Sequence, residues 1–584
     1  LELLSRFGGD TGAAVIVVGN YVYLSTGYRI VVLDLLSTTG LMQVGQGALL
    51  SSAITSLAVN NGNVYATTES SGVHVFNISN AKQPNSIGAL TDVKAQQVVF
   101  SGAYAYTVDE AGFHVYRVTD PTHWTRSSSI ANTSNNKRLA VVGKYAYFTG
   151  DALHVIDVSN PSSAQQVGVY TGMQNATDLA VMGNNVWVVT GNILSGRNFI
   201  GELHVVDVSN PTKPTKVNSV QFDRPTRRLL VANGFVFVGA YWDLHVFDAL
   251  DGKGLHETSK FRATGGIADL AVFGTQLLIA SSDGDALQVV SIAHPEKPSM
   301  LQSFHTPKSA HQIAVAGQYA YVSSGKYGFL VIDVNDPRVP VSVGESADFF
   351  EAWGIAVSGK YLYVTSADSL RIIQLMNLNN HQLGSVTLPL NGPSKVSVVG
   401  NRAYVAGGKF FIVDTSQPDA PKLLSTTTFA DNQANDVALF DQYAIVASTD
   451  ALHVIDVADA AHPKEIGSLK MTGWARSVSV VGNYAYVVTS QTGLHVVSLA
   501  NPAKPIEIGF ITSEHIESAC VAGVVVFIAE GLAGMRAFDI SNPSKPVEIA
   551  EYKTSLSAEQ MTIVGNTVFA TTTSGGMAIL HFTP

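Results

Sequence analysis

The chain has 584 residues and a net charge of −10, with charged residues at 14%, hydrophobic residues at 46%, 51 glycines and 21 prolines. It exceeds the roughly 250 to 300 residues at which a single core stops growing, so more than one domain is expected. There is no run of lysine or arginine and no apolar stretch near the ~18 residues of a membrane-spanning helix, so a nucleic-acid partner and a transmembrane segment find no support, and the composition speaks against disorder.

The first element, Leu1-Glu-Leu-Leu-Ser-Arg-Phe7, reads as a lone outer strand. After it a phrase of the type Val-Val-Gly-Asn-Tyr-Ala-Tyr recurs, with its glycine at Gly19, Gly62, Gly102, Gly143, Gly183, Gly234, Gly274, Gly317, Gly359, Gly400, Gly482, Gly523 and Gly565, and Asp441 in the same place once. A second phrase follows each copy, plainest as Leu153-His-Val-Ile-Asp-Val-Ser-Asn-Pro161, Leu203-His-Val-Val-Asp-Val-Ser-Asn-Pro211 and Leu452-His-Val-Ile-Asp-Val457. The step is about 40 to 43 residues, stretched once to about 51, the range of propeller blades and solenoid repeats.

Each of the fourteen repeats reads as four strands. In the eleventh these are Asp436 to Leu439, Tyr443 to Ala447, Leu452 to Val457 and Glu465 to Leu469, rich in β-branched and aromatic residues and separated by Gly, Asn, Asp or Pro. Short antiparallel sheets at this period bury both faces by stacking, and a closed ring does so without long edges. The expected fold is all-β: tandem β-propellers, two seven-bladed rings of four-stranded antiparallel blades, spanning 1–294 and 295–584.

The last element, Met577 to Phe582, is a third strand. Closure is therefore expected by a one-plus-three strand exchange in each ring: Leu1 to Phe7 completes the seventh blade beside Ala286 to Ile292, and the displaced Ser299 to Phe304 completes the fourteenth. A six-plus-eight division satisfies the same accounting, whereas one ring of fourteen leaves too wide a hole. The chain opens at Leu1 without a methionine or signal segment, as expected of a processed or trimmed product. Its single cysteine, Cys520, sits in an apolar run, which predicts a buried, inert thiol.

The third-strand phrase, as in Leu330-Val-Ile-Asp-Val334 and Leu153-His-Val-Ile-Asp-Val158, resembles the LVIVD repeat family along essentially the whole chain. The resemblance implies a bacterial or archaeal surface or exported β-propeller with a binding or scaffolding role, in an extracytoplasmic, cell-surface or secreted setting. It supplies no catalytic residues. Val289-Val-Ser291, Ile372-Ile-Gln374 and Val496-Val-Ser498 depart from the phrase by lacking its aspartate, which argues that the aspartate is structural.

The repeated aspartates Asp157, Asp207, Asp248, Asp333, Asp414, Asp456 and Asp539 thus read as turn residues accepting local hydrogen bonds. The histidines His74, His114, His154, His204, His245, His453 and His495 share one position before the third-strand valine. Zinc needs ligands within about 2.0 to 2.1 Å of the ion, and equivalent strands of adjacent blades lie ~10 Å apart, so each histidine reads as making a contact in its own blade.

Function on such a scaffold is expected where copies differ. In the first ring the entry to each first strand brings Lys137, Arg138, Arg224, Arg227 and Arg228 together with Asp178 and Asp269, a site for an anion or for mutual ion pairing. The same face carries an insertion, Gly191 to Gly201, with Leu194, Arg197, Phe199 and Ile200, followed by Tyr241 and Trp242. In the second ring the corresponding residues are His311, Phe349, Phe350, Trp353, Lys395, Asn435, Asp436, Trp474, Arg476, Glu514, His515, Glu517 and Glu559. Aromatics beside polar groups suit sugar rings or peptide side chains, which makes this the better candidate binding face.

A metal or acid–base role for His311, His515 and Glu517 has no spacing motif behind it, and no cofactor is implied. A nucleophile elbow, an HExxH helix, a P-loop and a dinucleotide fingerprint are all missing. The reading is a noncatalytic binding or assembly module for a protein or surface glycan partner. Its alternatives are a carbohydrate-active lyase or hydrolase at the mouth of the second ring, and a structural subunit of a surface layer or extracellular assembly.

Overall fold

The computed structural model describes residues 2–8, 12–36, 42–131, 138–194, 198–249, 255–281, 286–304, 310–337, 340–346, 351–375, 381–392, 394–430, 433–513, 515–553, 558–572 and 576–583. They form fourteen four-stranded antiparallel sheets, and the one helical element among them is a 3-10 turn at Pro161–Ser163. The chain divides into two compact units, Asp10–Thr306 and Leu1–Gly9 with Pro307–Pro584. Sheets are numbered below by the chain order of their first strands. In the 10–306 unit these are Gly12–Val18, Ile54–Asn60, Gln97–Ser101, Leu139–Val142, Ala176–Met182, Thr226–Ala232 and Ile267–Phe273. In the 307–584 unit they are Gln312–Ala316, Ile355–Ser358, Lys395–Val399, Ala434–Phe440, Ala475–Val481, Ser518–Ala522 and Ala558–Val564.

The repeated glycine makes the tight turn from first to second strand. Gly143 has φ +59° and Gly482 +54°, left-handed values that a side chain disfavours, and Asp441 takes the same turn at +51°. Second and third strands are buried on both faces, so they read as continuous apolar runs such as Val22-Tyr23-Leu24 and Ile30 to Leu33. Fourth strands are half solvated and carry the polar alternation.

The cores lie between sheets. Tyr106, Val108, Phe113 and Val115 of the third sheet pack on Leu139, Ala146, Phe148 and Ile156 of the fourth. The first and last sheets of each unit are also in contact. Leu278, Ala280, Leu287 and Val289 of the seventh sheet pack on Val15, Val22, Leu24 and Leu33 of the first. Phe569, Met577 and Ile579 of the fourteenth pack on Ile313, Val322 and Leu330 of the eighth.

A further contact joins neighbouring sheets through the turn after the third strand. That turn pushes a carbonyl against the fourth strand of the preceding sheet. At Gly467 a Cβ would lie 2.5 Å from Pro502 O, and Gly168 meets Pro211 O and Gly509 meets Pro543 O more closely still, so a side chain at these three positions would have to push the carbonyl away. Where serine stands instead, its hydroxyl donates to that carbonyl: Ser128 to Pro161 O at 2.7 Å and Ser425 to Ala460 O at 2.7 Å.

The expected strand exchange is corrected. Glu2–Gly8 pairs with Gly576–His581 in the fourteenth sheet, with Arg6 opposite Ala578, and not with the seventh. Ser299–Phe304 stays beside its own third strand, Leu287 facing Phe304. A fourth strand that follows its third through a short turn pairs locally at little loop-closure cost, so nothing displaces it. The fourteenth sheet, with three strands of its own, takes the distant Glu2–Gly8 as its edge.

Candidate functional site

The repeated aspartates behave as turn groups. Asp157 Oδ1 accepts Ser159 N–H at 2.8 Å, Asp207 that of Ser209 at 2.7 Å, Asp333 that of Asn335 at 2.8 Å and Asp539 that of Ser541 at 2.8 Å. Hydrogen bonds from the Ser159 hydroxyl and amide hold the Asp157 carboxyl below the usual carboxylate range. Histidines of the series pair within their own sheets: His245 Nδ1 with Glu257 at 2.7 Å, His453 with Glu465 at 2.9 Å, His495 with Glu507 at 3.1 Å and His114 Nε2 with Asp109 at 3.0 Å. Cys520 is buried and its thiol is pushed up to about 12 by desolvation.

In the 10–306 unit, Arg138, Asp178, Arg228 and Asp269 come from the entries of sheets four to seven and alternate in sign. Arg138 Nε lies 3.7 Å from Asp178 Oδ1 and Arg228 Nε 3.5 Å from Asp269 Oδ1. The carboxylates also cap backbone across sheets: Asp178 Oδ2 accepts Leu229 N–H at 2.9 Å and Asp269 Oδ2 accepts Val15 N–H at 2.9 Å. Burial pushes the Asp178 carboxyl up, against the pull of both arginines. Gln97 and Gln312, which occupy the same position, accept Leu139 N–H and Ile355 N–H at 2.8 Å each. Their role was hidden because they lack charge, although they align with Asp178 and Asp269.

Arg227 is exposed nearby. The insertion is an extended hairpin rather than a loop, with Ile193 opposite Phe199 and Gly191 opposite Gly201. Tyr241 stacks on Trp242 at 4.9 Å, and the Arg262 guanidinium lies 4.9 Å from the Trp242 ring. Lys137, Arg197, Phe349, Phe350 and Glu514 lie outside the described residues; of Phe199 only the backbone is described.

In the 307–584 unit each sheet places one of His311, Trp353, Lys395, Asp436, Arg476, Glu517 and Glu559 at or near the start of its first strand. His311 packs on Trp353 at 4.6 Å, and Trp353 Nε1 donates to Glu351 at 3.4 Å, so this indole is half-buried and engaged. Arg476 Nη1 donates to Glu517 Oε2 at 2.5 Å. Asp436 Oδ2 accepts Val478 N–H at 3.0 Å, the counterpart of the Asp178 cap. Burial lowers the Lys395 ammonium against the opposing pull of Asp436 and Glu559. Burial and then the neighbouring Glu517 raise the Glu559 carboxyl. The second histidine of the set, His515, is exposed.

Beside this entry lies an open depression of about 450 Å³ lined by Gln433, Asn435, Thr449, Trp474 and Arg476. Trp474 is 62% exposed and, among the described residues, is the most open aromatic side chain of the unit. Gln433 and Thr449 were not marked by sequence, because neither belongs to a repeated phrase. Among the described residues no helix is long and apolar enough to cross a membrane.

Fourteen four-stranded blades with a repeated frame and a variable inner rim define a propeller-like repeat protein. The chain belongs to the LVIVD repeat family, whose model matches residues 93–131, 135–172, 174–221, 307–348, 351–379, 393–428, 431–470, 472–512 and 518–554. Among solved structures it is similar to PorZ of Porphyromonas gingivalis, described as an essential bacterial surface component of the type-IX secretion system, with a TM-score of 0.58, 12% identity, and coverage of 99% of this chain and 86% of that one. It also matches the computationally designed Ika8 protein at a TM-score of 0.38 and 9% identity, over 55% of this chain and 97% of the other. No curated protein matches the sequence.

Proposed function

We propose that the chain is a cell-surface or secreted binding module in which each unit is a closed seven-bladed propeller. Closure is supported by the apolar seams that return the seventh sheet to the first and the fourteenth to the eighth. The surface setting draws on the likeness to PorZ, a surface component, and on the family resemblance.

The observation that carries the binding reading is the inner rim of the 307–584 unit. Seven sheets of near-identical frame contribute a His, a Trp, a Lys, an Asp, an Arg and two Glu side chains there, beside an exposed tryptophan, and residues that vary between blades are free to serve a ligand. The partner on this reading is a surface glycan or a protein carrying one. The test is saturable binding of the full chain to a panel of purified glycans and cell envelopes; folded protein that binds none of them sinks it.

The catalytic alternative draws on Glu559, whose raised carboxyl sits near Glu517 in the manner of paired acid groups. Glu517 is held by Arg476, which favours a structural ion pair. Turnover of a bound glycan that disappears in Glu559→Gln would establish the alternative.

A further inference from the structure

We infer that the depression beside Trp474 is a subsite for one uncharged, hydroxyl-rich sugar ring stacked on the indole. The inference rests on the binding role proposed above and names the ligand class at that site.

Trp474 is presented rather than merely exposed. Gly473 precedes it at φ +90°, Ala475 after it is fully buried, and Trp474 O accepts Ser490 N–H at 3.0 Å. The backbone is therefore fixed on both sides while the ring stays in solvent. A flat apolar face gains most from a partner that is itself flat, apolar on one face and hydroxylated at its edge, which describes a pyranose.

The remaining lining supplies edge contacts. Gln433, Asn435 and Thr449 are uncharged donor and acceptor groups, and Asn435 Nδ2 donates to Ala475 O at 2.8 Å, which fixes the orientation of that amide. A volume of about 450 Å³ lies within the range of small-molecule sites.

Charge decides against an acidic sugar. Arg476 is the one cation of the lining, and its charge is matched by Glu517 at 2.5 Å. Around the adjacent rim three carboxyl groups, Asp436, Glu517 and Glu559, face two cations, Lys395 and Arg476. An arriving carboxylate would compete with Glu517 for Arg476 and meet a field of its own sign. A hydroxyl needs only the remaining guanidinium N–H groups.

The experiment uses the full chain with cellobiose, maltose and N,N′-diacetylchitobiose as neutral probes and digalacturonic acid as the anionic one, read by saturation-transfer NMR and tryptophan fluorescence. The expected result is saturable binding of at least one neutral disaccharide, weakened about tenfold or more by Trp474→Ala and nearly kept by Trp474→Phe. Stronger binding of digalacturonic acid, binding unchanged in Trp474→Ala, or no neutral binding overturns the subsite. If envelopes still bind while the disaccharides fail, the subsite alone is wrong; if envelopes fail too, the binding role falls with it.

Discussion

Asp269 Oδ2 accepts the Val15 N–H at 2.9 Å across 254 positions of sequence, joining the innermost strand of the seventh sheet to that of the first. The same side-chain-to-backbone cap recurs as Gln97 to Leu139, Asp178 to Leu229, Gln312 to Ile355 and Asp436 to Val478. Asp269 therefore has two tasks, holding the seam and balancing Arg228.

Replacing Asp269 by alanine removes a charge-assisted hydrogen bond and leaves Val15 N–H without it. The 10–306 unit should lose about 2 kcal/mol in urea unfolding. Asp269→Asn, which keeps an acceptor, should lose less. Equal losses in the two variants would show that charge balance with Arg228, not the cap, governs the seam.

Deleting residues 1–9 removes the edge strand of the fourteenth sheet, far in sequence from the part it supports. The 307–584 unit should be weakened and the 10–306 unit unchanged. Cys520, buried in the thirteenth sheet, reports this directly: its labelling by a thiol reagent should be slow in the native chain and faster in the deletion. Unchanged labelling would mean that Glu2–Gly8 is dispensable.

The close approach of Pro502 O to Gly467 predicts that Gly467→Val forces the eleventh and twelfth sheets apart, at about 1–3 kcal/mol. Ser128→Ala, at the equivalent position of the third sheet, loses only the hydroxyl bond to Pro161 O, about 1 kcal/mol. Thermal unfolding of the two variants measures the difference, and an equal effect would contradict the steric account.

Glu559 gives a pH test. Its carboxyl is raised above the ordinary 4.5 in the folded chain, so the native state holds that proton more tightly than the unfolded one. Its contribution to stability is fully present below 4.5 and lost as pH rises through the folded value. Glu559→Gln stays uncharged throughout, so its stability relative to the native chain should increase with pH across that window. A difference that is flat with pH would remove Glu559 from the buried rim.

Much of this was legible from sequence because it is local. The period of the glycine turns set the number of blades, the β-branched and aromatic segments between turn residues pointed to four strands in each, and the aspartate before each turn pointed to its hydrogen bond. Such features depend on neighbours a few residues away, which a linear phrase records. Divergence between copies also marked His311, Trp353, Lys395, Asp436, Arg476, Glu517 and Glu559 as candidates, though not what each of them contacts.

Partnership was decided by tertiary structure alone. Leu1 to Phe7 satisfies the pairing count equally well beside the seventh or the fourteenth sheet, and only packing placed it against Gly576–His581. Trp353 and Trp474 read alike as exposed aromatics, yet one is engaged by His311 and Glu351 and the other stands open above a depression. Burial and turn chemistry act within a repeat, so the residues of each repeat determine what its strands are; which strand or side chain each one meets across hundreds of residues depends on contacts between distant repeats, which no single repeat encodes.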